Sequence, residues 1–214
     1  MKRIIPITAL ALLCICAAAR AQDDAAVDVS TALPQATEPV FSLDNAGLIL
    51  PGLYRGGMPG GEKDYKAIAD SGIHVVVSLR DLSVDRDSPE FCAKYGLVCE
   101  RFPLALSVPL SDYFFDWSEF KKAYAYVLGQ NKAGYDIYIH CEHGSDRTGA
   151  MSAALVIRSQ ACGRTFDKDA LWGRISGDLA KYGFHKADYG HLYSDIKDFV
   201  YKFDDNKDWI CLAP

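Results

Sequence analysis

Two side chains suggest chemistry in this sequence, the thiol of Cys141 and the guanidinium of Arg147, with five residues between them. The stretch around them reads Ile139-His140-Cys141-Glu142-His143-Gly144-Ser145-Asp146-Arg147-Thr148-Gly149. A short loop that curls before a helix directs successive backbone N–H groups at one point, where the helix dipole adds partial positive charge. We therefore expect this loop to hold a phosphate group.

The two side chains have complementary uses at such a site. A cysteine at a helix N-terminus, surrounded by N–H donors and close to an arginine, favours the thiolate form, which makes Cys141 an activated nucleophile. Arg147 presents a planar fork of donors that suits two phosphoryl oxygens at once. The predicted phosphate-binding residues are those of the loop itself: Glu142, His143, Gly144, Ser145, Asp146 and Arg147.

Gly144 within the loop and three residues next to the loop are predicted to support its shape. Gly144 allows a positive φ within the curl, and Gly149 allows the following helix to pass close to the strand. Thr148 can donate its hydroxyl to the cysteine sulfur. His140 is expected to brace the loop by hydrogen bonds, because a thiolate needs no base.

The elements around the loop alternate between strands and helices. Apolar and β-branched runs predict extended or strand segments over 48–55, 73–79, 97–102 and 136–139. Helical spacing predicts helices over 62–70, 89–95, from 116 onward, 148–159, 166–182 and 187–203. This order predicts a single α/β domain with a mostly parallel central sheet of about four to five strands flanked by helices, whose ligands bind beyond the carboxyl ends of the strands.

The N-terminus has the features of a signal peptide over residues 1–21. Lys2 and Arg3 precede an apolar run over 4–19, which is followed by a small-residue site ending at Ala21. We expect cleavage there and a periplasmic or secreted protein without a membrane span. The mature chain would comprise a flexible lead over 22–40, a folded domain over 41–205 and a C-terminal tail over 206–214.

Charge and cysteine content narrow the remaining possibilities. Removing the signal peptide changes the formal net charge from −5 to about −8, which gives no electrostatic reason to bind nucleic acid. Export places five cysteines in a compartment that allows disulfides. Setting aside Cys141 leaves an even four, and we hypothesise that Cys92 pairs with Cys99 and Cys162 with Cys211, although spacing alone leaves the connectivity open.

The loop resembles the signature of the protein tyrosine phosphatase superfamily, which is His-Cys, five residues, Arg, then Ser or Thr, and Gly. Residues 53–59 and 77–80 are similar to the first two strands of bacterial dual-specificity-like cysteine phosphatases, and residues 183–185 to a late segment of that group. The resemblance implies that Cys141 attacks phosphorus and forms a phosphocysteine that water then hydrolyses. It implies no metal and no cofactor.

The resemblance leaves the proton donor open. Relatives take the proton from an aspartate upstream of the loop, where this sequence offers Asp112 and Asp116. Asp116 also fits a helix cap with Glu119, so we prefer Asp112 of the two. Other members with Asp-Arg inside the loop use the loop aspartate, here Asp146, and the two alternatives stand equally.

The substrate is also open within this chemistry. The acidic loop favours a phosphotyrosine-type or other aryl ester on a protein or a small molecule, with phosphoserine and phosphothreonine as further substrates. The ring of an aryl ester could stack on one of three aromatic residues before the helix predicted from residue 116: Tyr113, Phe114 or Phe115. An inositol-phosphate or phosphoinositide phosphatase is the alternative within the chemistry.

Two other classes remain, a non-catalytic phosphate-binding module and a metal site on His140, Cys141 and His143. The latter has no evident fourth ligand. Three further residues are either supports of the site or ordinary packing and ion-pair residues: Arg55, Arg80 and His185.

Overall fold

The computed structural model describes residues 42–81, 89–107 and 114–212. Its strands are β1 (Gly47–Leu50), β2 (Leu53–Gly56), β3 (Val75–Ser78), β4 (Val98–Arg101), β5 (Leu106–Ser107), β6 (Phe114–Phe115) and β7 (Ile137–His140). Five of them form one sheet in the order β1-β2-β7-β3-β4, while β5 and β6 form a separate antiparallel pair. Only β1 and β2 are antiparallel within the larger sheet, which confirms the predicted fold class.

The helices cover both faces of this sheet. They are α1 (Glu62–Asp70), α2 (Pro89–Lys94), α3 (Trp117–Lys132), α4 (Asp146–Ala161), α5 (Lys168–Lys181), α6 (Gly190–Tyr201) and α7 (Phe203–Ile210). The larger core cluster contains the inner residues of α3 to α7, and a smaller cluster contains those of α1 and α2. Strands β3 and β7 are buried at every position because helices lie on both sides of them.

Local sequence explains where two of the longer helices begin. The Asp116 carboxylate accepts a hydrogen bond from the Glu119 N–H at 3.0 Å, which confirms the predicted cap of α3. The Asp167 carboxylate caps α5 in the same way, by accepting from the N–H groups of Asp169 and Ala170. Both helices therefore start at a residue that satisfies their first unpaired donors.

One predicted segment is wrong. The extended segment over 48–55 is a hairpin of β1 and β2, because Pro51 and Gly52, with φ 75° at the glycine, turn the chain between them. Helix α7 extends to Ile210, within the expected tail over 206–214, and the fully buried side chain of Ile210 packs in the larger core cluster. The expected signal peptide and lead over 1–40 lie outside the described residues.

Two disulfides link separate elements of the fold, one on each side of the sheet. Cys92 in α2 is bonded to Cys99 in β4, and Cys162 at the end of α4 is bonded to Cys211 after α7. The hypothesised pairing is thus the one in the structure, with Cys141 free and buried. Among the described residues, no helix has both the length and the apolar composition that a membrane crossing requires.

Candidate active site

The parallel strands bring three loops to one edge of the sheet. Gly56, Ser78 and His140 lie in register at the carboxyl ends of β2, β3 and β7. The segments that follow these residues therefore meet at this edge, as expected for a parallel α/β sheet. The loop after β7, residues 141–147, is called the Cys141 loop below.

Carbonyl groups of His140 and of the Cys141 loop point away from the centre of the loop and accept hydrogen bonds from other segments. Leu79 N–H donates to His140 O at 2.7 Å, Met58 N–H to Glu142 O at 3.1 Å, Asn45 Nδ2 to His143 O at 2.7 Å and Arg55 Nη2 to Gly144 O. Among the described residues, the backbone N–H groups of 142–147 have no protein acceptor. Donors without acceptors around one loop at a helix N-terminus form a binding site for an anion.

Gly144 makes the curl possible. Its φ is 72°, as predicted, and a side chain there would collide with the backbone of Gly56 and Gly57 at the end of β2. The Cys141 loop is therefore held tightly against β2. Any larger residue at position 144 must move one of these two backbones.

The thiol of Cys141 is fully buried beneath this loop. Its Sγ donates to Oδ1 of Asp146, the first residue of α4, at 3.5 Å. Asp146 is itself only 7% exposed. A thiol and a carboxylate are thus in direct contact at the base of the Cys141 loop.

Arg147 lies at the opening of the site with donors to spare. Its Nη1 contacts the backbone oxygen of Leu104 at 3.4 Å and Oδ2 of Asp81 at 3.7 Å. Its Nε is buried and has no hydrogen-bond partner among the described residues. A buried donor without a partner is costly in a folded protein, and a bound phosphoryl group would supply the missing acceptor.

Two buried arginines hold the Cys141 loop from outside. Arg55 Nη1 bonds to Ser152 Oγ at 3.2 Å, while its other terminal nitrogen holds Gly144. Burial lowers the pKa of the Arg55 guanidinium from its ordinary value, and the nearby Tyr182, whose ring lies 4.0 Å below it, acts in the opposite direction. Arg55 thus supports the loop, as one of the two predicted alternatives for it states.

Arg80 is the second of these arginines. Its Nε and Nη2 contact the same carboxylate oxygen of Glu142, at 2.8 Å and 2.7 Å. The Arg80 side chain is 3% exposed and that of Glu142 is 32% exposed. The negative charge of Glu142 is therefore balanced by Arg80 before any ligand arrives.

Comparison with known proteins identifies the chain. The family model described as "Polymorphic toxin system, DSP-PTPase phosphatase" matches residues 52–161, just over half of the sequence, including β2, β7 and the whole Cys141 loop. The chain belongs to this DSP-PTPase phosphatase family. The protein is a cysteine-type phosphatase, which confirms the resemblance to the protein tyrosine phosphatase superfamily.

Solved structures of similar fold are also phosphatase domains. The core catalytic domain of the PP-IP phosphatase Siw14 from S. cerevisiae matches with a TM-score of 0.54 at 15% identity, over 79% of this chain and 96% of that one. Tk-PTP in its active form matches with a TM-score of 0.53 at 16% identity, over 72% and 97%. PTPMT1 in complex with PI(5)P matches with a TM-score of 0.52 at 14% identity, over 76% and 99%. At these identities the likeness shows the fold alone, and a search of curated proteins finds no significant match.

Among the three predicted supporting residues of this phosphatase, His140 has a contact of the expected kind, and Thr148 and Gly149 have different neighbours from those predicted. His140 Nδ1 lies 3.2 Å from the carbonyl oxygen of Cys141, consistent with bracing. The Thr148 hydroxyl is buried without a hydrogen-bond partner among the described residues, so the expected donation to sulfur is not made in this structure. A side chain at Gly149 would meet Leu179 of α5 and Phe184 at 3.0 Å, rather than a strand.

Other predicted residues take different positions. Ser145 is buried at the start of α4, where its side chain caps no helix donor, and His143 is exposed. His185 is also exposed, and its backbone carbonyl accepts from Asp188 and Tyr189. Asp112 lies outside the described residues, while Asp116 is committed to capping α3. The described residues contain no cluster of three or more His, Cys, Asp or Glu side chains arranged to hold a metal ion.

The three aromatic residues expected to contact a substrate ring differ in their accessibility. Phe115 is 4% exposed and packs on Trp117 with ring centroids 4.4 Å apart, so it belongs to the core. Phe114 is 53% exposed, and Tyr113 lies outside the described residues. Phe115 was predicted wrongly because the strand pair of β5 and β6 turns alternate side chains inward.

Tyr189, at the start of α6, is the aromatic residue that sequence reasoning missed. It is partly buried and packs edge-on against Phe184, with ring centroids 5.3 Å apart. Burial raises the pKa of its hydroxyl above the ordinary value, and the charge of Asp146 adds to the rise, while Arg147 acts in the opposite direction. The Tyr189 hydroxyl therefore lies within range of the charges of Asp146 and Arg147, although 40 residues or more separate them in sequence.

Proposed function

We propose that the protein hydrolyses phosphomonoesters through a phosphocysteine on Cys141, with phosphotyrosine-type aryl esters as preferred substrates and phosphoserine or phosphothreonine esters as further ones. The observation that carries this proposal is the buried thiol at the base of a loop whose backbone N–H groups have no acceptor in the described part of the protein. Such a loop stabilises the charge that develops on the phosphoryl oxygens during transfer. Arg147 supplies further donors to the same oxygens.

The proposed reaction has two steps. The Cys141 thiolate attacks phosphorus, the sulfur–phosphorus bond forms, and the ester oxygen leaves with a proton from a carboxylic acid. Water then attacks the phosphocysteine, giving its proton to the same carboxylate and releasing inorganic phosphate with the thiolate restored. No metal or cofactor takes part in either step.

We assign the proton donor to Asp146. Its oxygen lies 3.5 Å from Sγ, and transfer of the thiol proton to it yields a thiolate and a carboxylic acid together. These are the two forms that the first step requires. Asp112 is the alternative donor, and the behaviour of the two Asn variants distinguishes them, as argued in the Discussion.

The preference for aryl esters is supported by the acidic opening of the site and by Tyr189. Asp81, Asp146 and Asp188 lie close to Arg147 or Tyr189, so a highly charged phosphate ester meets repulsion. The partly buried Tyr189 ring offers an aryl group an edge or face contact.

Hydrolysis of an inositol phosphate or phosphoinositide is the second candidate. Arg80 balances the charge of Glu142, so this loop residue repels a polyanionic substrate less than the sequence alone suggested. Two similar folds are a PP-IP phosphatase and a protein in complex with PI(5)P. These points make the substrate class a question for direct comparison.

A single experiment tests the function. The purified mature protein and its Cys141→Ser variant are assayed in chelator-treated buffer on phosphotyrosine, phosphoserine and inositol phosphates at equal concentration. We expect the wild type to turn over phosphotyrosine fastest, and the variant to lose about 10³-fold or more while its circular dichroism spectrum is unchanged. Undiminished turnover by Cys141→Ser contradicts the proposed nucleophile, and faster turnover of inositol phosphates contradicts the proposed substrate.

We further propose that the protein is exported and is periplasmic or secreted. Two disulfides join all four cysteines other than Cys141 in the described residues, which suits an oxidising compartment. N-terminal sequencing of protein from fractionated cells is expected to begin at Gln22. Recovery of the full precursor from the cytoplasm would overturn this proposal.

A further inference from the structure

A second cavity lies on the opposite face of the sheet from the large core. Its volume is about 330 Å³, within the range of small-molecule sites. It is lined by apolar groups from β3, α2 and the turn before β4, and by the polar ends of three strands: Val76, Ala93, Leu97, Ser78, Arg101 and His140. None of the functions proposed above uses this cavity.

The polar lining is a row across three strands. Ser78 of β3 is in register with Arg101 of β4 on one side and with His140 of β7 on the other. Side chains at paired positions of neighbouring strands point to the same face. Among the described residues, this end of the face is covered by α2, a helix of six residues, and by Tyr65 of α1, which leaves space above the row.

The described lining residues include one cation, Arg101, one carboxylate residue, Glu100, and the imidazole of His140. Arg101 and His140 contribute their side chains from the row, whereas Glu100 occupies the next position of β4 and so points to the other face. The Glu100 charge accordingly acts on Tyr126 of α3. A ligand here would meet an apolar wall and a basic end.

His140 connects this cavity to the nucleophile. Its ring lines the cavity, and its Nδ1 lies 3.2 Å from the carbonyl oxygen of Cys141. The same ring stacks on Tyr138 at 5.8 Å, and the Tyr138 hydroxyl donates to Gly57 O at 2.6 Å, beside the Cys141 loop. A ligand that displaces the His140 ring would therefore displace the backbone that positions the Cys141 Sγ.

We propose that this cavity binds a small organic anion with an apolar body, and that the bound anion changes the reactivity of Cys141 through His140. The apolar body lies against Val76 and Leu97, and the anionic group lies towards Arg101 and His140. Binding itself does not depend on the proposed phosphatase substrate.

Three probes that share the same eight-carbon chain but differ in charge separate the contributions of charge and apolar surface. Octanoate, octanol and octylamine are titrated calorimetrically into the mature protein, with and without saturating vanadate in the Cys141 loop. We expect one octanoate per protein, bound about tenfold or more tightly than the other two, because a charge-assisted hydrogen bond contributes that much. Vanadate is expected to change octanoate affinity by about threefold at most, because coupling between the two sites is reciprocal, whereas competition for one site would abolish octanoate binding.

Variants locate the site. Ala93→Phe, which fills the cavity from the partly uncovered helix α2, is expected to abolish octanoate binding. Arg101→Gln is expected to weaken it about tenfold. Arg164→Gln, which removes an exposed arginine after α4, is the matched control and is expected to bind as the wild type does.

The link to Cys141 has its own readout. The rate of Cys141 alkylation by iodoacetamide is measured with and without octanoate, and we expect a change of about threefold or more that Ala93→Phe removes. Displacement of octanoate by vanadate, equal affinity for all three probes, or undiminished binding by Ala93→Phe would each overturn the site. Binding without any change in alkylation rate would overturn the coupling through His140.

Discussion

The Sγ atom of Cys141 and Oδ1 of Asp146 are 3.5 Å apart, and both residues are buried, Cys141 directly after β7 and Asp146 at the start of α4. A thiol that donates to a carboxylate shares one proton with it. When that proton moves to Asp146, the pair becomes a thiolate and a carboxylic acid. The contact between these two residues thus makes Asp146 the proposed acid, although it looks like an ordinary loop residue in the sequence.

Asp146→Asn tests this role. A general acid must be protonated to act, so its contribution is lost as pH rises through its pKa and produces the alkaline limb of the pH–rate profile. We expect the variant to lose this limb and about 10²- to 10⁴-fold in kcat on phenyl phosphate. On 2,4-dinitrophenyl phosphate, whose leaving group needs no proton, kcat should change little.

Asp112→Asn is the matched variant for Asp146→Asn. If it loses the alkaline limb and the selectivity for good leaving groups while Asp146→Asn keeps both, the acid is Asp112. The Cys141–Asp146 contact would then be a feature of the empty site.

Asp81→Asn should strengthen oxyanion binding. Asp81 lies 3.7 Å from Arg147 Nη1 and is 41% exposed, so it competes with a phosphoryl oxygen for the same guanidinium. An ion pair with one exposed partner contributes about 0.2–1 kcal/mol, which predicts a vanadate inhibition constant up to about fivefold lower in the variant. The difference should shrink at high salt.

The control for Asp81→Asn is Asp70→Asn, which removes an exposed carboxylate paired with Lys66 on α1. Vanadate inhibition of this variant should match that of the wild type. Weaker inhibition of Asp81→Asn would mean that Asp81 orients Arg147 for the ligand rather than competing with it.

Tyr189→Leu tests the aromatic contact. A contact between two aromatic rings contributes about 0.5–1.5 kcal/mol beyond the area that it buries. Loss of this contact should raise KM for aryl phosphates about two- to tenfold. KM for glycerol phosphate should not change. Phe114→Leu is the control, since Phe114 was predicted from sequence and is exposed; an equal rise in that variant would contradict the role of Tyr189.

The sequence predicted those parts of the site whose residues are consecutive. Gly144 could be assigned a positive φ because a curl before a helix requires it. Cys141 and Arg147 could be placed on one loop because only five residues separate them. The alternation of strands and helices likewise predicted the parallel sheet. These inferences needed no knowledge of distant contacts.

The remaining parts depend on contacts between distant segments. Asp81 contacts Arg147, and the charges of Asp146 and Arg147 act on Tyr189, only because the segments after β3 and before α6 approach this loop in three dimensions. Gly149 was assigned to the wrong neighbour for the same reason, since α5 rather than a strand crosses the start of α4. Spacing along the chain contains no information on which of several helices approaches a given turn.

The two disulfides should contribute unequally to stability. Cys162–Cys211 spans 49 positions and Cys92–Cys99 spans 7. Loop-closure entropy in the unfolded chain then predicts that replacing the first pair by alanine lowers the free energy of unfolding by about 4 kcal/mol, and replacing the second by about 2 kcal/mol. Urea unfolding of the two double variants measures both values. A larger loss for Cys92→Ala/Cys99→Ala would contradict the entropic account and would indicate instead that α2 is held on β4 chiefly by the short bridge, because this helix has only six residues with which to pack.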